Sequence, residues 1–502
     1  MAPHALMKCN RCVFRLAAEQ PTFECVTTST TLQTNPAAKW ALASLSLSML
    51  LASLGTSIAN VALPTLAQAF AASFQQVQWI VLAYLLAITT LIVSVGKLGD
   101  VTGRRRLLLA GTSLFTVASL LCGLAPTLWL LIAARAAQGV GAAVMMALTM
   151  AFVAETVPKA RIGSTMGLLG TMSAVGTALG PSLGGVLIAR FGWPAIFFVS
   201  VPLGLVTLLL GYRYLPADRQ VTATDRTGFD PLGTLLLALT LGAYALAVTT
   251  GRGTFGLVNV GLLFTAICGL ALFLRAQARV ASPLIRLAMF RNPVLSAGFA
   301  MSTLVTTVVM ATLVVGPFYL SGALALDAAG IGLVMSSGPI VAALTGVPAG
   351  RIVDRFGAYR ATMAGLLAMA AGASILPMVP TRIGVAGYIT PLIIMTAGYA
   401  LFQAANNTSV MADLSPDQRG VISGMLNLSR NLGLITGASV MGAVFTLGTG
   451  TANMTTAGPA AVAAGMRLTF TVAAVLIIVA LAIAAASRSR SRGGERAGLC
   501  EA

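Results

Sequence analysis

Long apolar runs constrain this chain more than any other feature. About fourteen stretches of roughly twenty mostly apolar residues follow one another from 40–63 to 466–487, separated by short polar segments. A helix needs about 20 such residues to cross the hydrocarbon core of a bilayer. Only 9% of the 502 residues are charged and 57% are hydrophobic, with a mean hydropathy of +0.91. A soluble domain carries about 25% charged residues. So few charges cannot cover a water-facing surface, so most of the surface must face lipid.

The basic residues supply an orientation. With the N-terminus placed in the cytoplasm, 25 of the 31 Lys and Arg fall in cytoplasmic segments, among them Lys97, Arg104, Arg105, Arg106, Arg351, Arg355 and Arg360. Four fall on the opposite side, and Arg135 and Arg430 fall inside spans. This asymmetry follows the positive-inside rule and requires an even number of spans. The net charge of +18 is therefore a loop property of a membrane protein, and no nucleic-acid partner is expected. Residues 1–38 are polar, lack the apolar core of a signal peptide, and read as a disordered cytoplasmic tail. Cys9 and Cys12 in that tail have metal-like spacing without a second pair, so no metal site is expected.

The chain also repeats itself. Gly96-x-x-x-Asp100-x-x-Gly103-x-x-Arg106 returns as Gly350-x-x-x-Asp354-x-x-Gly357-x-x-Arg360, and Glu155-x-x-Pro158-x-x-Arg161 returns as Asp413-x-x-Pro416-x-x-Arg419. Both pairs lie at nearly the same separation, each copy between apolar runs. Duplicated six-helix halves rocking about a midplane site produce this pattern. The expected fold is all-α: an N-terminal six-helix bundle over 39–214, linker segments with two inserted membrane helices over 215–293, a C-terminal six-helix bundle over 294–487, and a basic cytoplasmic tail over 488–502.

At these residues the chain resembles the major facilitator superfamily, specifically its fourteen-helix drug:proton antiporter branch, which includes riboflavin importers. Residues Gly96 to Arg106 are similar to the loop signature after helix 2, and Arg135-Ala-Ala-Gln138-Gly139-Val-Gly141 to the helix 4 signature. Gly176-Thr-Ala-Leu-Gly180-Pro181-Ser-Leu-Gly184-Gly185 resembles the helix 5 antiporter motif, and Leu54 to Pro64 the helix 1 motif. Drug-exporting members carry an acid where this chain has Gly55. The resemblance implies gating roles for Gly96, Asp100, Gly103, Arg104 and Asp354, and for the Gly180, Pro181 and Gly184 bend. It further implies a monomer with both termini in the cytoplasm of a cell inner membrane.

Polar residues recur at helical spacing in four runs. They include Asn60 in the first, Arg135 and Gln138 in the fourth, Thr303 and Thr306 in the ninth, and Tyr399, Gln403 and Asn406 in the twelfth. The resemblance places these four helices around a central cavity, so these eight residues are the expected substrate contacts. Hydrogen bonding between helices is the competing use of such stripes. A buried guanidinium needs a partner, and Arg135 has no acid at its depth, which makes it a candidate for binding substrate.

The acids narrow the chemistry. All thirteen lie in tails or near helix ends, and the one histidine is His4. No carboxylate or imidazole falls at the midplane, where proton relays usually sit. No catalytic constellation or cofactor site is legible, so an enzyme is not expected. Two transport readings remain: an efflux antiporter, as the resemblance implies, or an uptake permease for a neutral or weakly anionic aromatic solute such as riboflavin.

Overall fold

The computed structural model describes residues 36–156, 162–217, 230–250, 256–280, 283, 287–411, 416–451 and 457–500. Among them there are fourteen helices long and apolar enough to cross a membrane, and no strand. In lipid a helix satisfies its backbone hydrogen bonds internally, which an open strand does not. The N-terminal half holds α1 (Pro36–Ala69), α2 (Phe74–Thr102), α3 (Arg104–Gly123), α4 (Leu128–Thr156), α5 (Ile162–Phe191) and α6 (Ala195–Tyr214). The inserted pair is α7 (Pro231–Thr249) and α8 (Leu257–Gln277). The C-terminal half holds α9 (Pro293–Gly322), α10 (Ala328–Phe356), α11 (Ala358–Ile375) and α12 (Val385–Met411). It continues with α13, which runs over Pro416–Thr436, through a π-helical turn at Gly437–Met441, and on over Gly442–Thr449. The last helix, α14 (Pro459–Cys500), carries on as helix through the segment expected from sequence to be a tail.

The internal repeat has a backbone counterpart. Gly103 and Gly357 join α2 to α3 and α10 to α11, with φ of 97° and 82°. Side chains avoid that region and glycine does not. Both copies of the loop signature therefore turn the chain at the same residue type in the same conformation.

Close packing holds each half together. In the N-terminal half α1 lies along α5, and α4 packs against α2 and α3. In the C-terminal half α11 pairs with α12, and α9 with α13 and α14. Glycines set the closest approaches. A β-carbon on Gly141 would come within 2.7 Å of Gly111 O, and one on Gly398 within 2.7 Å of Gly365 O. Lipid is as apolar as leucine, so membrane helices associate through such close contact and not through apolar burial alone.

The inserted pair lies at the periphery, and α8 turns large apolar side chains such as Leu257, Phe264 and Ile267 outward. Asp230 caps α7, accepting from Gly233 N at 2.8 Å and from Gln277 Nε2 of α8 at 2.7 Å. α7 also touches both halves. Thr234 Oγ1 pairs with Ser94 Oγ of α2 at 2.6 Å, and Tyr244 donates to Thr436 Oγ1 of α13 at 3.2 Å.

Gly398→Val should lower the melting temperature of the detergent-solubilised protein, because the new side chain meets backbone on α11, where overpacking costs about 1–3 kcal/mol. Gly346→Ala, where a β-carbon meets nothing within 4 Å, should leave it unchanged. Thermal unfolding of both variants beside the wild type checks the contrast.

Candidate substrate cavity

The two halves meet tightly at one end. α5 lies along α10, where a β-carbon on Gly185 would reach Ala328 O at 2.7 Å and Gly332 Cα at 2.9 Å. Phe74, at the start of α2, stacks edge-on with Phe318 of α9 at 4.7 Å and tilts against Phe445 of α13 at 5.4 Å between ring centres. Beside it Gln78 Nε2 donates to Ala438 O at 2.7 Å. Ala438 lies in the π-helical turn of α13, a geometry that frees a carbonyl from the ordinary helical ladder. Gly442 leaves the space that the Gln78 amide fills. These contacts seal the end of the bundle that holds the α1–α2 and α9–α10 connections.

Behind the seal lies a cavity of about 130 Å³. Its wall is Thr177 from α5, Val309, Thr312 and Leu313 from α9, Met335, Gly338, Pro339 and Ala342 from α10, Met369 from α11, and Leu392, Met395, Thr396 and Tyr399 from α12. The lining is apolar with a few hydroxyls, the usual make-up of a small-molecule site. Three methionines supply a soft, adaptable surface. Pro339 and Pro391 each remove one backbone hydrogen bond from α10 and α12, where the helices border the cavity. About two turns beyond Tyr399 on α12, Asn407 accepts through Oδ1 from Arg430 Nη2 of α13.

A profile of the Major Facilitator Superfamily matches residues 45–438. The chain belongs to the Major Facilitator Superfamily. It is 30% identical over 408 residues to the riboflavin transporter RibZ of Clostridioides difficile strain 630, covering 81% of this chain and 88% of that protein. It is 32% identical over 390 residues to the multidrug resistance protein Stp of Mycobacterium tuberculosis strain H37Rv, covering 77% and 72%. Its fold is similar to that of a bacterial homologue of the lysosomal transporter Spinster, solved in an inward-facing, unoccupied conformation. The TM-score is 0.67 at 16% identity, over 91% of this chain and 98% of that one. This is therefore a multi-pass membrane protein with a transporter fold.

As a member of this superfamily, the chain distributes the residues expected at the substrate unevenly. Tyr399 lines the cavity, and Gln403 sits half-buried one turn further along α12. Arg135 is 0% exposed inside the N-terminal half. Its Nε donates to Ile80 O at 3.0 Å, its Nη1 to Gln138 Oε1 at 2.6 Å, and its guanidinium stacks 4.1 Å from the Tyr84 ring centre. Gln138 passes the network on to Ser119 Oγ at 2.7 Å. Arg135 and Gln138 thus join α4 to α2 and α3 in this structure. Asn60 is buried on α1, donating to Thr56 O at 3.2 Å. Thr303 and Thr306 bind the carbonyls of Ser429 and Arg430 at 3.0 Å, and Asn406 donates to Ser302 Oγ at 2.9 Å. These four serve helix-to-helix or within-helix bonds.

The expected gating residues also separate. Gly180 and Gly184 pack α5 onto Ser57, Ile58 and Val61 of α1, and the Pro181 carbonyl faces Gly332 in the seal. Gly103 makes the left-handed turn, Arg104 opens α3, and Asp354 is exposed near the end of α10. The surroundings of Gly96 and the side chain of Asp100 lie outside what the structure describes. Gly55 faces Tyr84, whose hydroxyl would lie 3.0 Å from a β-carbon there. Gly55 therefore adjoins the Tyr84–Arg135 pair.

Sequence reasoning did not single out Gln78, the π-helical turn or the cavity methionines. The only sequence signal near them was the glycine run Gly433, Gly437 and Gly442 in α13.

Arg135→Gln removes a charged group that ties three helices together, and hydrogen bonds to charged groups contribute about 1.5–3 kcal/mol each. The variant should melt well below the wild type in detergent. An unchanged melting temperature together with lost transport would instead put Arg135 at the substrate.

Proposed function

We propose that this protein is a secondary transporter that moves a small, largely apolar organic solute across a cell inner membrane by alternating access. The observation that carries this reading is a pair of repeated halves sealed at one end, with a cavity behind the seal lined by the C-terminal half and Thr177 of α5. The distribution of basic loops supports a seal on the outer side with both termini in the cytoplasm, which makes the arrangement an inward-facing state in this reading. Rocking of the halves about the cavity would exchange the α5–α10 and α2–α13 seal for one at the other end. The transporter works as a monomer in this reading, because each chain carries both halves.

The preferred solute lacks a permanent positive charge. Gly55 stands where drug exporters carry an acid, and the chain has no histidine or carboxylate at mid-depth in its spans. A desolvated cation would meet no counter-charge in such a site. The 30% identity to a riboflavin transporter supports an aromatic, hydrogen-bonding solute. Proton-coupled efflux is the second reading, supported by the 32% identity to a multidrug resistance protein.

Counterflow in proteoliposomes separates the two. Labelled riboflavin should enter riboflavin-loaded vesicles with saturable kinetics, and labelled tetraphenylphosphonium should not move when a pH gradient is imposed. Gradient-driven movement of tetraphenylphosphonium without riboflavin counterflow would reverse the choice.

A further inference from the structure

The outer face of α6 changes character at its end. Leu205 and Leu209 are turned outward, 55% and 67% exposed, on a helix that crosses the membrane. Arg213, also exposed, follows four residues after Leu209, so the three side chains fall in one row along the helix. At 1.5 Å per residue that row is about 12 Å long, most of the depth of one leaflet of a hydrocarbon core about 30 Å thick. Tyr212, 68% exposed, stands beside the row where the helix ends. An outward apolar row that ends in a cation matches the layout of a phospholipid, acyl chain first and head group at the tip.

Two neighbouring helices complete this corner, since α1 and α3 both pack against α6. Tyr214 stacks on Trp40 of α1 with ring centres 6.1 Å apart, and the Arg213 guanidinium lies 6.0 Å from the Tyr214 ring centre. Trp40 is half exposed, and Lys39, exposed as well, precedes it in the chain. Arg105 of α3 donates to the Tyr212 carbonyl and lies 5.7 Å from the Tyr212 ring centre. A guanidinium against a ring uses its flat face and keeps its N–H edge for an acceptor. Among the described residues Arg213 makes no hydrogen bond and no ion pair, so that edge is open to a ligand. Its forked donors match the oxygens of a phosphate.

We propose that this corner binds an anionic phospholipid from the leaflet on the side of the basic loops. Arg213 donates to the phosphate, with Lys39 adding charge, and an acyl chain lies along Leu209 and Leu205. Trp40 and Tyr212 sit at the level of the head group, where amphipathic rings are favoured. Arg105 acts as a positioning residue, because its bond to the Tyr212 carbonyl fixes the end of α6 against α3. Basic side chains at a membrane surface attract anionic lipids, so selectivity for charge separates this site from a plain aromatic belt. The proposal needs only the membrane-embedded fold and is independent of the transported solute.

The test is fluorescence quenching of the full-length protein in bilayers of equal parts dioleoyl phosphatidylglycerol and dioleoyl phosphatidylcholine, one of the two carrying dibrominated chains. The emission lost in Trp40→Phe gives the Trp40 signal, and Trp79, Trp129 and Trp193 give the background. Brominated phosphatidylglycerol should quench Trp40 as a lipid held about fivefold more tightly than phosphatidylcholine, the ratio that one basic residue at a membrane surface contributes. Arg213→Gln should bring the ratio close to one, and Arg213→Lys should keep part of it. Native mass spectrometry of wild type and Arg213→Gln in detergent, with both lipids added in equal amounts, reads the same preference without the tryptophan variant.

Equal quenching of Trp40 by the two brominated lipids, stronger quenching by phosphatidylcholine, or a phosphatidylglycerol preference that survives in Arg213→Gln would each overturn the proposal. The wild-type ranking decides the matter even if a variant fails to fold. Lipid binding is read without transport, so failed counterflow would count against the transporter reading and leave this result standing.

Discussion

Excluding charge from hydrocarbon is the constraint on which the rest of this structure depends. An ionised side chain at the bilayer centre costs several kcal/mol, so acids and bases are confined to loops and helix ends. What remains in the spans must be satisfied by helix-to-helix bonds or kept for a solute. Arg135 donates to a carbonyl and an amide and stacks on an aromatic face of its own half, while its Nη2 is buried without a hydrogen-bond partner among the described residues. Arg430 is half-buried and donates to Asn407 of α12.

The same constraint shapes the packing. Helices gain nothing by hiding apolar surface from apolar lipid, so they adhere through close contact and short polar bonds. Glycine pairs such as Gly141 with Gly111 and Gly398 with Gly365 bring backbones together within each half. Serine and threonine hydroxyls bind carbonyls of neighbouring helices, as Thr303 and Thr306 do. Between the halves the contacts are of another kind. Aromatic edges, one amide-to-carbonyl bond and the facing backbones of α5 and α10 form a seal that can part without exposing a charge. A seam of this type suits a device that must open and close.

Much of the fold was legible in the sequence, because hydropathy and loop charge report directly on the bilayer. The fourteen spans, the repeated turn at Gly103 and Gly357, and the small-residue face of α5 could all be read from residue types. The site was less legible. Helical spacing puts Arg135, Gln138, Asn60 and Asn406 on polar faces, but it does not say whether such a face meets a cavity or another helix. Only the packing of α4 between α2 and α3 decides that for Arg135. Tyr399 was legible because α12 borders the cavity along much of its length. Gln78 and the π-helical turn were not, since a hydrogen bond between residues so far apart leaves no local pattern.

The central claim is that the cavity behind the α5–α10 seal opens to one side of the membrane and is closed from the other. Side-specific labelling tests it most directly. Ala342→Cys, in a background without other cysteines, should react with a membrane-impermeant maleimide added to the side that bears the basic loops. It should resist the same reagent added to the opposite side. Equal labelling from both sides would describe an open pore and contradict a cavity sealed at one end.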